Sequence, residues 1–431
     1  MKRIGLMLVL FVSGILSVSA ADFAINGTTD KDVAIYKPGE KMVFTFKILE
    51  AGKPVAGKKL KWTRKGDDGK TENGEGIVDE SGLQVTTSMD KPGFVRIQAK
   101  AFGEDGKPLQ GFKGGWGGNK NGNIFFDGGA CVDPEKLKPV EEPKDFDEFW
   151  KATKAKLDAV PIKAERKELP YKDPKIKLYA VTLDCAGPKP VTGYLTIPAN
   201  AKEKSLKGIV KFHGYGVRKH NPPGWADPNA IVFDINAHGL TLGDDAAFAE
   251  EKKKLGGYCF NKDENTKPET SYYYGMTLRL LRALQYVKSL PEWNGKELHS
   301  NGGSQGGLQG LLGAGLDSDV THANLWSPWC CDFGGITLGR MKGWRPEYNK
   351  ALDYFDPAFH AKRIKGKVHL IANYGDYTCP PSSVWVVYNN ILHENKSMEV
   401  KQGCTHSYAM KKHQKFVITP QGTKNVGISK K

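Results

Sequence analysis

Apolar and polar side chains alternate with period two in residues 41–47, 83–87 and 93–99, the signature of half-buried β-strands. Turn-formers punctuate them at Pro38-Gly39, Asp67-Asp68-Gly69, Asn73-Gly74 and Glu104-Asp105-Gly106. Short strands with Gly-rich turns at regular spacing predict a small immunoglobulin-like β-sandwich over residues 21–130. Beyond residue 144 the pattern changes. Phe146, Phe149, Trp150 and Leu157 recur at helical spacing behind Asp145, Asp147 and Glu148, which predicts an amphipathic helix over 145–157. Short, largely apolar runs at 208–212, 230–235, 298–300, 368–372 and 397–401 predict strands. Residues 272–290, 309–316 and 382–392 predict helices between them. Strands alternating with helices predict an α/β fold, a mostly parallel sheet with helices on both faces. Residues 131–143, rich in proline and charge, read as a linker between the sandwich and a second cored unit over 144–431.

The first twenty residues follow a different rule. Lys2 and Arg3 precede an apolar run over 4–16 that ends in small residues, which predicts a signal peptide over residues 1–20. The run is too short to span a bilayer, and no later segment is long and apolar enough to do so. The mature chain is therefore expected to be exported, periplasmic or secreted.

Formal net charge is +15, yet residues 21–130 carry 17 basic against 15 acidic side chains. The basic excess belongs to the second unit, where it reads as a solvated surface or as attraction to an acidic polysaccharide. An exported chain without a nucleic-acid motif is not expected to bind nucleic acid. Seven cysteines over this length form no disulfide scaffold, and two unpaired buried thiols are favoured at Cys379 and Cys404 over a bridge. No phosphate loop, dinucleotide fingerprint or metal-ligand spacing appears, so no cofactor is expected.

The strongest chemical signal is Gly302-Gly303-Ser304-Gln305-Gly306, a Gly-x-Ser-x-Gly pattern between a predicted strand and helix. Such a turn exposes a serine nucleophile, and small residues on either side let strand and helix pass closely. An α/β-hydrolase then requires an acid and a histidine later in the chain, each after a strand. Asp376 and His406 satisfy that order. Asp353 and Asp356 precede the strand, His360 and His393 sit in helix-like text, and His413 lies in a Lys-rich stretch. Backbone N–H groups of Tyr215, in the loop after residues 208–212, and of Gln305 are the oxyanion-hole candidates. His213 precedes the serine and reads as structuring that loop.

These residues resemble the acetyl xylan esterase and cephalosporin C deacetylase family, carbohydrate esterase family seven, from about residue 143 to residue 408. The resemblance rests on the helix opening at Asp145, on His213-Gly214-Tyr215, and on Tyr272-Tyr273-Tyr274-Gly275 with Arg282-Ala283-Leu284. It continues through Gly303 to Gly307, Cys331-Asp332-Phe333, Asp376, and Cys379-Pro380-Pro381-Ser382-Ser383. It implies a Ser304–His406–Asp376 triad and hydrolysis of O-acetyl esters on a polysaccharide or oligosaccharide, with acetylated xylan foremost. Two positions depart from the family. Its Arg-Gly-Gln is absent around Asp234 to Gly239, and Ser407 follows the histidine where glutamate is usual. The family is often a compact hexamer without an N-terminal sandwich, so a homo-oligomer stays open here. Two other readings remain: an esterase for another carbohydrate ester, such as a uronic-acid ester, and a non-catalytic carbohydrate-binding protein. Gln305, where glucuronoyl-type enzymes usually carry arginine, weighs against the first, and the complete triad against the second.

Overall fold

The computed structural model describes residues 22–111, 121–408, 410 and 413–428; the predicted signal peptide lies outside them. Eleven strands build one large sheet. Its order is Ala164–Leu169, Ile176–Leu183, Val191–Pro198, Ala230–Asn236, Leu206–Phe212, Trp293–Gly303, His322–Trp326, Lys367–Asn373, Lys396–Lys401, Gln414–Thr419 and Gly422–Ile428. From Ala230–Asn236 to Lys396–Lys401 the strands run parallel, and both flanks are antiparallel. Every predicted strand of the second unit belongs to the parallel centre, where burial enriches apolar residues. The edge strand Ala164–Leu169 is exposed and polar, and Val191–Pro198, though buried, has Thr192, Gly193 and Thr196 among its apolar residues, so no apolar run marked either.

The fold class is that of an α/β-hydrolase. Helices Tyr272–Ser289, Gln305–Leu316 and Pro381–Asn390 pack against the sheet, and the short helix Pro357–Ala361 packs on the last two of them. Ser300 Oγ donates to Gly310 O on the face that meets Gln305–Leu316, whereas Asn301, Asn324 and Glu399 point to the other and stay partly exposed. The connection after Leu206–Phe212 runs through Pro222-Pro223-Gly224 without a helix, and the chain beyond His406 returns as a hairpin. No helix of the described residues is long and apolar enough to cross a membrane.

The helix Phe146–Asp158 forms as the pattern dictates, burying Phe146, Trp150, Thr153 and Leu157 along one stripe. Arg282 Nη2 donates to Leu157 O and Val160 O at 2.7 Å each, satisfying carbonyls at that helix's C-terminal end. The helix behind Ser304 begins at Gln305 rather than 309. Gly306 and Gly307 read as turn in the sequence but lie inside it, because a Cβ on Gly306 would fall 2.1 Å from Phe212 O. The missing side chain is what lets the helix touch the neighbouring strand.

Two smaller sheets form the N-terminal sandwich. One contains Phe23–Thr29, Met42–Glu50, Lys53–Val55 and Leu83–Thr87; the other contains Ile35–Tyr36, Phe125–Val132, Gly93–Phe102, Lys58–Gly66 and Thr71–Val78. Phe44, Phe46 and Ile48 point inward from one sheet, and Phe46 meets Phe126 of the other edge-on at 5.3 Å.

The sandwich does not hang on a free tether. Its core is continuous with that of the hydrolase unit. The segment read as a linker is packed down: Cys131 and Val132 finish a sandwich strand, and Asn389 Nδ2 donates to Pro134 O and Leu137 O. Strand Phe125–Val132 lies against the loops that follow Lys367–Asn373 and Lys396–Lys401. Gln402 accepts from Gly129 N at 2.9 Å and donates to Gly129 O at 2.8 Å. Tyr374 sits between Phe94 and Phe416, its hydroxyl accepting from Cys131 Sγ and Trp385 Nε1. Asp67 ties a second point, accepting from Phe94 N and from Met341 N.

Gln402→Ala would orphan both polar groups of the buried Gly129 peptide, each at about 1–3 kcal/mol. Unfolding by denaturant is expected to show a loss of about 2–4 kcal/mol, and a loss under about 0.5 kcal/mol would contradict this role for Gln402.

Candidate active site

Ser304 ends the strand Trp293–Gly303 and caps the helix Gln305–Leu316. Its backbone sits at φ 55°, ψ −122°, a conformation that costs an L-residue energy and persists only where its surroundings enforce it. Two close approaches enforce it here. A Cβ on Gly302 would lie 2.4 Å from Gly306 O, and Ser304 N donates to Trp326 O at 3.0 Å. The hydroxyl is thereby lifted to the C-terminal edge of the parallel strands.

The loops after the next strands bring the other two predicted residues to it. His406 Nε2 lies 3.1 Å from Ser304 Oγ, and His406 Nδ1 lies 2.8 Å from Asp376 Oδ2. The second carboxylate oxygen of Asp376 accepts from Thr378 N and Cys379 N, both at 2.8 Å. The Cys-Pro-Pro-Ser signature thus has a physical purpose. It turns two N–H groups onto the acid and starts the helix Pro381–Asn390 with proline in its first turn. The acid and base loops are also stitched together, Gly375 N donating to Cys404 O and Asn373 Nδ2 to Thr405 O.

Asp376 is 2% exposed, while His406 keeps some access to solvent. Burial works against a charged His406, but the hydrogen bond and charge of Asp376 outweigh it and raise its pKa above 6.5. With Nδ1–H donating to Asp376, the free Nε2 lone pair faces the serine hydroxyl.

The loop His213–Gly216 passes directly over the nucleophile, since a Cβ on Gly214 would sit 3.7 Å from Ser304 Cβ. Tyr215 and Gln305 therefore flank the serine, and the Gln305 N–H, first in its helix, has no preceding turn to bond. His213 behaves as a loop-structuring residue. Its Nε2 accepts from Ala237 N and its Nδ1 donates to Gly214 O, with burial pushing its pKa down to about 4.

Sequence reasoning missed two residues beneath this loop. Tyr258 Oη accepts from Gly216 N and donates to Gln305 Oε1, both at 2.8 Å, while its ring stacks on Tyr215 at 4.4 Å. His238 bonds Gly216 O through Nε2 and takes the Tyr272 hydroxyl at Nδ1; burial holds it neutral, pushing its pKa down to about 3. Both peptide groups of Gly216 are thus fixed where the family's Arg-Gly-Gln is absent. His238 itself lies in the stretch Asp234 to Gly239, from which that motif is missing.

The rejected candidates have other partners. Asp356 accepts from Asp332 N, Phe333 N and Ala358 N, Asp353 accepts from Tyr348, and His360 bonds Tyr354 O. His413 Nδ1 bonds Met410 O, and His393 lies in the loop beyond its predicted helix. Cys379 and Cys404 are both free, as are the other five cysteines. Of the tryptophans, Trp329 is fully buried, whereas Trp225, Trp326 and Trp344 are exposed. Trp344 stands edge-on to the Tyr215 ring at 4.6 Å, and so borders the mouth.

Two groups among the described residues have ligating atoms close enough for a metal. One is Asp376, Cys379 and His406, already engaged as above. The other is Glu297, His299 and His322, with ligand atoms within 4.8 Å of one another. Sequence spacing hid the second group because strand register, pairing His299 with His322, creates it.

The family described as acetyl xylan esterase (AXE1) matches residues 135–419, starting just after the sandwich. The chain is similar to the acetyl esterase Axe7A of Xylanibacter ruminicola, 27% identical over 347 residues, which cover 76% of this chain and 72% of that protein. Among solved structures, the acetyl xylan esterase from Paenibacillus sp. R4 is similar with a TM-score of 0.55 and 26% identity. The match covers 64% of this chain and 94% of that one. Acetyl xylan esterase 1 from Thermoanaerobacterium sp. JW/SL YS485 shares the fold, with a TM-score of 0.52 and 21% identity over 64% and 93% of the two chains.

A proton-transfer base must be neutral to act, so the rate should fall as pH drops through the raised pKa of His406. In Asp376→Asn the supporting charge is gone and burial remains, which lowers that pKa. If these residues act as a Ser-His-Asp triad, the acid limb of kcat/KM is expected to move to lower pH, with kcat reduced on the order of 10⁴. An unmoved acid limb at full rate would remove Asp376 from the site.

Proposed function

The chain belongs to the acetyl xylan esterase (AXE1) family and is a carbohydrate esterase, a carboxylic ester hydrolase; from that premise we propose that it is exported and removes O-acetyl groups from xylan or xylo-oligosaccharides through an acyl-enzyme on Ser304. The hydrogen-bonded line from Asp376 through His406 to Ser304 carries this reading. Export rests on the basic, apolar, small-residue order of residues 1–20. The choice of acetylated xylan rests on the family match and on the similar acetyl xylan esterase from Paenibacillus sp. R4.

In this mechanism His406 Nε2 takes the Ser304 proton as Oγ attacks the acetyl carbonyl carbon. Asp376 keeps the imidazole in the tautomer with Nδ1–H and stabilises its cation. The tetrahedral oxyanion accepts from the N–H groups of Tyr215 and Gln305, at the positive end of a helix. Collapse breaks the ester bond, and His406 returns the proton to the departing sugar oxygen. Water, deprotonated by His406, then attacks acetyl-Ser304 and releases acetate. Tyr258 and His238 act through the oxyanion loop, as positioning residues. The domain organisation proposed with this function is a signal peptide over 1–20, a sandwich over 21–130, a packed connection over 131–143 and the esterase unit over 144–431.

Ser304→Ala fits the turn and is expected to fold, yet to lose kcat on an aryl acetate on the order of 10⁶. A variant keeping more than about a tenth of the rate, a barrier change of only ~1.4 kcal/mol, would exclude Ser304 as nucleophile. Acetate release from acetylated xylan by the wild-type protein, measured against other acetylated polysaccharides, tests the substrate.

A further inference from the structure

The outer face of the five-stranded sandwich sheet carries a groove of about 390 Å³ lined by Thr63, Lys65, Thr71, Asn73, Arg96 and Gln98. Strand register explains why these six meet. Thr63 faces Asn73 on one side and Gln98 on the other, and Lys65 likewise lies between Thr71 and Arg96. Alternation along each strand puts all six on the face turned away from the sandwich core. The lining is wholly polar: two hydroxyls, two amides and two cations, donors and acceptors spaced across neighbouring strands. The volume is within the ~300–1,000 Å³ usual for small-molecule sites, but the usual apolar walls are missing. A ligand that suits it presents many hydroxyls and little hydrocarbon.

The groove ends at the catalytic loops. Arg96 pairs with the buried Asp127, and its guanidinium lies 5.1 Å from the ring centre of Tyr377. Tyr377 follows Asp376 directly and is 56% exposed, far more than an aromatic held for packing needs. Its neighbour Thr378 accepts from Trp344 N, which brings the 41%-exposed Trp344 alongside. A polar groove therefore runs into the exposed ring of Tyr377 in the acid loop, and Trp344 is bonded to the backbone of the next residue. Hydrogen-bonding side chains that grip ring hydroxyls, followed by aromatic faces that stack on sugar C–H surfaces, suit a carbohydrate chain.

We propose that this groove is a substrate-binding extension of the active site, in which the sandwich holds the carbohydrate chain whose acetyl group is presented to Ser304. The inference rests on the proposed deacetylation of a carbohydrate. It assigns the sandwich a second task besides supporting the catalytic loops.

Calorimetric titration of the full-length protein with a deacetylated xylo-oligosaccharide tests it, since binding is then read without turnover. The double variant Thr63→Ala with Asn73→Ala is expected to lose affinity roughly tenfold, the worth of one or two net hydrogen bonds. Tyr377→Ala and Gln98→Ala, changed one at a time from the other side of the groove, should lose affinity in the same direction, and their thermal unfolding midpoints report that they are folded. Folded variants that bind like the wild type would overturn the proposal, as would a wild-type protein that ignores the oligosaccharide while still releasing acetate from acetylated xylan. A wild type that binds through these residues but releases no acetate from any acetylated polysaccharide would refute the esterase reading and leave the groove standing.

Discussion

The Ser304–His406–Asp376 geometry depends on one contact: the strand Phe125–Val132 lying under the loops that carry Asp376 and His406. A Cβ on Gly375 would fall 2.1 Å from Asp127 O, and Gln402 grips the Gly129 peptide from the other loop. Tyr374, the residue before Gly375, is clamped between Phe94 of the sandwich and Phe416 of the C-terminal hairpin. Ser304 needs no such help, because its turn is fixed by the sheet and the helix behind it. Asp376 and His406 sit on loops, and in an enzyme a displacement of about 1 Å in a catalytic loop can cost two orders of magnitude in rate. Bonding both loops to a separate β-structure gives them the rigidity their own length does not.

That support has an electrostatic side. Asp127 is buried beside the acid loop, and burial pushes its pKa up to about 6 even with Arg96 bound to it. Asp376 adds its negative charge nearby. Arg96 answers both, and it is half-buried between the groove and Tyr377. The same side chain thus balances charge under the acid loop and closes the end of the polar groove. Support of the loops and recognition of substrate converge on one arginine, which explains why a sandwich rich in polar outward residues belongs next to this site rather than at the end of a flexible tether.

Much of this was legible in the sequence, for reasons that are local. The Gly-x-Ser-x-Gly turn, the order of acid and histidine, and the loop at Tyr215 each follow from what one strand and the next few residues must do. The alternating strands of the sandwich declared themselves through period two. Longer-range facts did not. The edge strand Ala164–Leu169 and the hairpin Gln414–Ile428 have no apolar runs to reveal them, and the buried Val191–Pro198 has its apolar residues broken up by Thr192, Gly193 and Thr196. Gly306 and Gly307 looked like a turn, since close approach between helix and strand uses the same residue that loops do. Tyr258, His238 and Gln402 act across 22 to more than 270 residues of chain, and nothing in their immediate sequence marks them. The Pro-rich stretch at 131–143 reads as a linker on composition alone, and two of its backbone carbonyls, Pro134 O and Leu137 O, are bonded by Asn389.

The central claim is that the sandwich is a working part of the active site. The most direct measurement is kcat/KM for a small aryl acetate and for acetylated xylan, compared between the intact protein and one lacking residues 22–130. With the acid and base loops left unsupported, both substrates are expected to suffer together, the small one included, even though it never reaches the groove. A truncated protein that hydrolyses the aryl acetate at the intact rate and loses only its activity on the polymer would contradict the account and make the sandwich a tether after all.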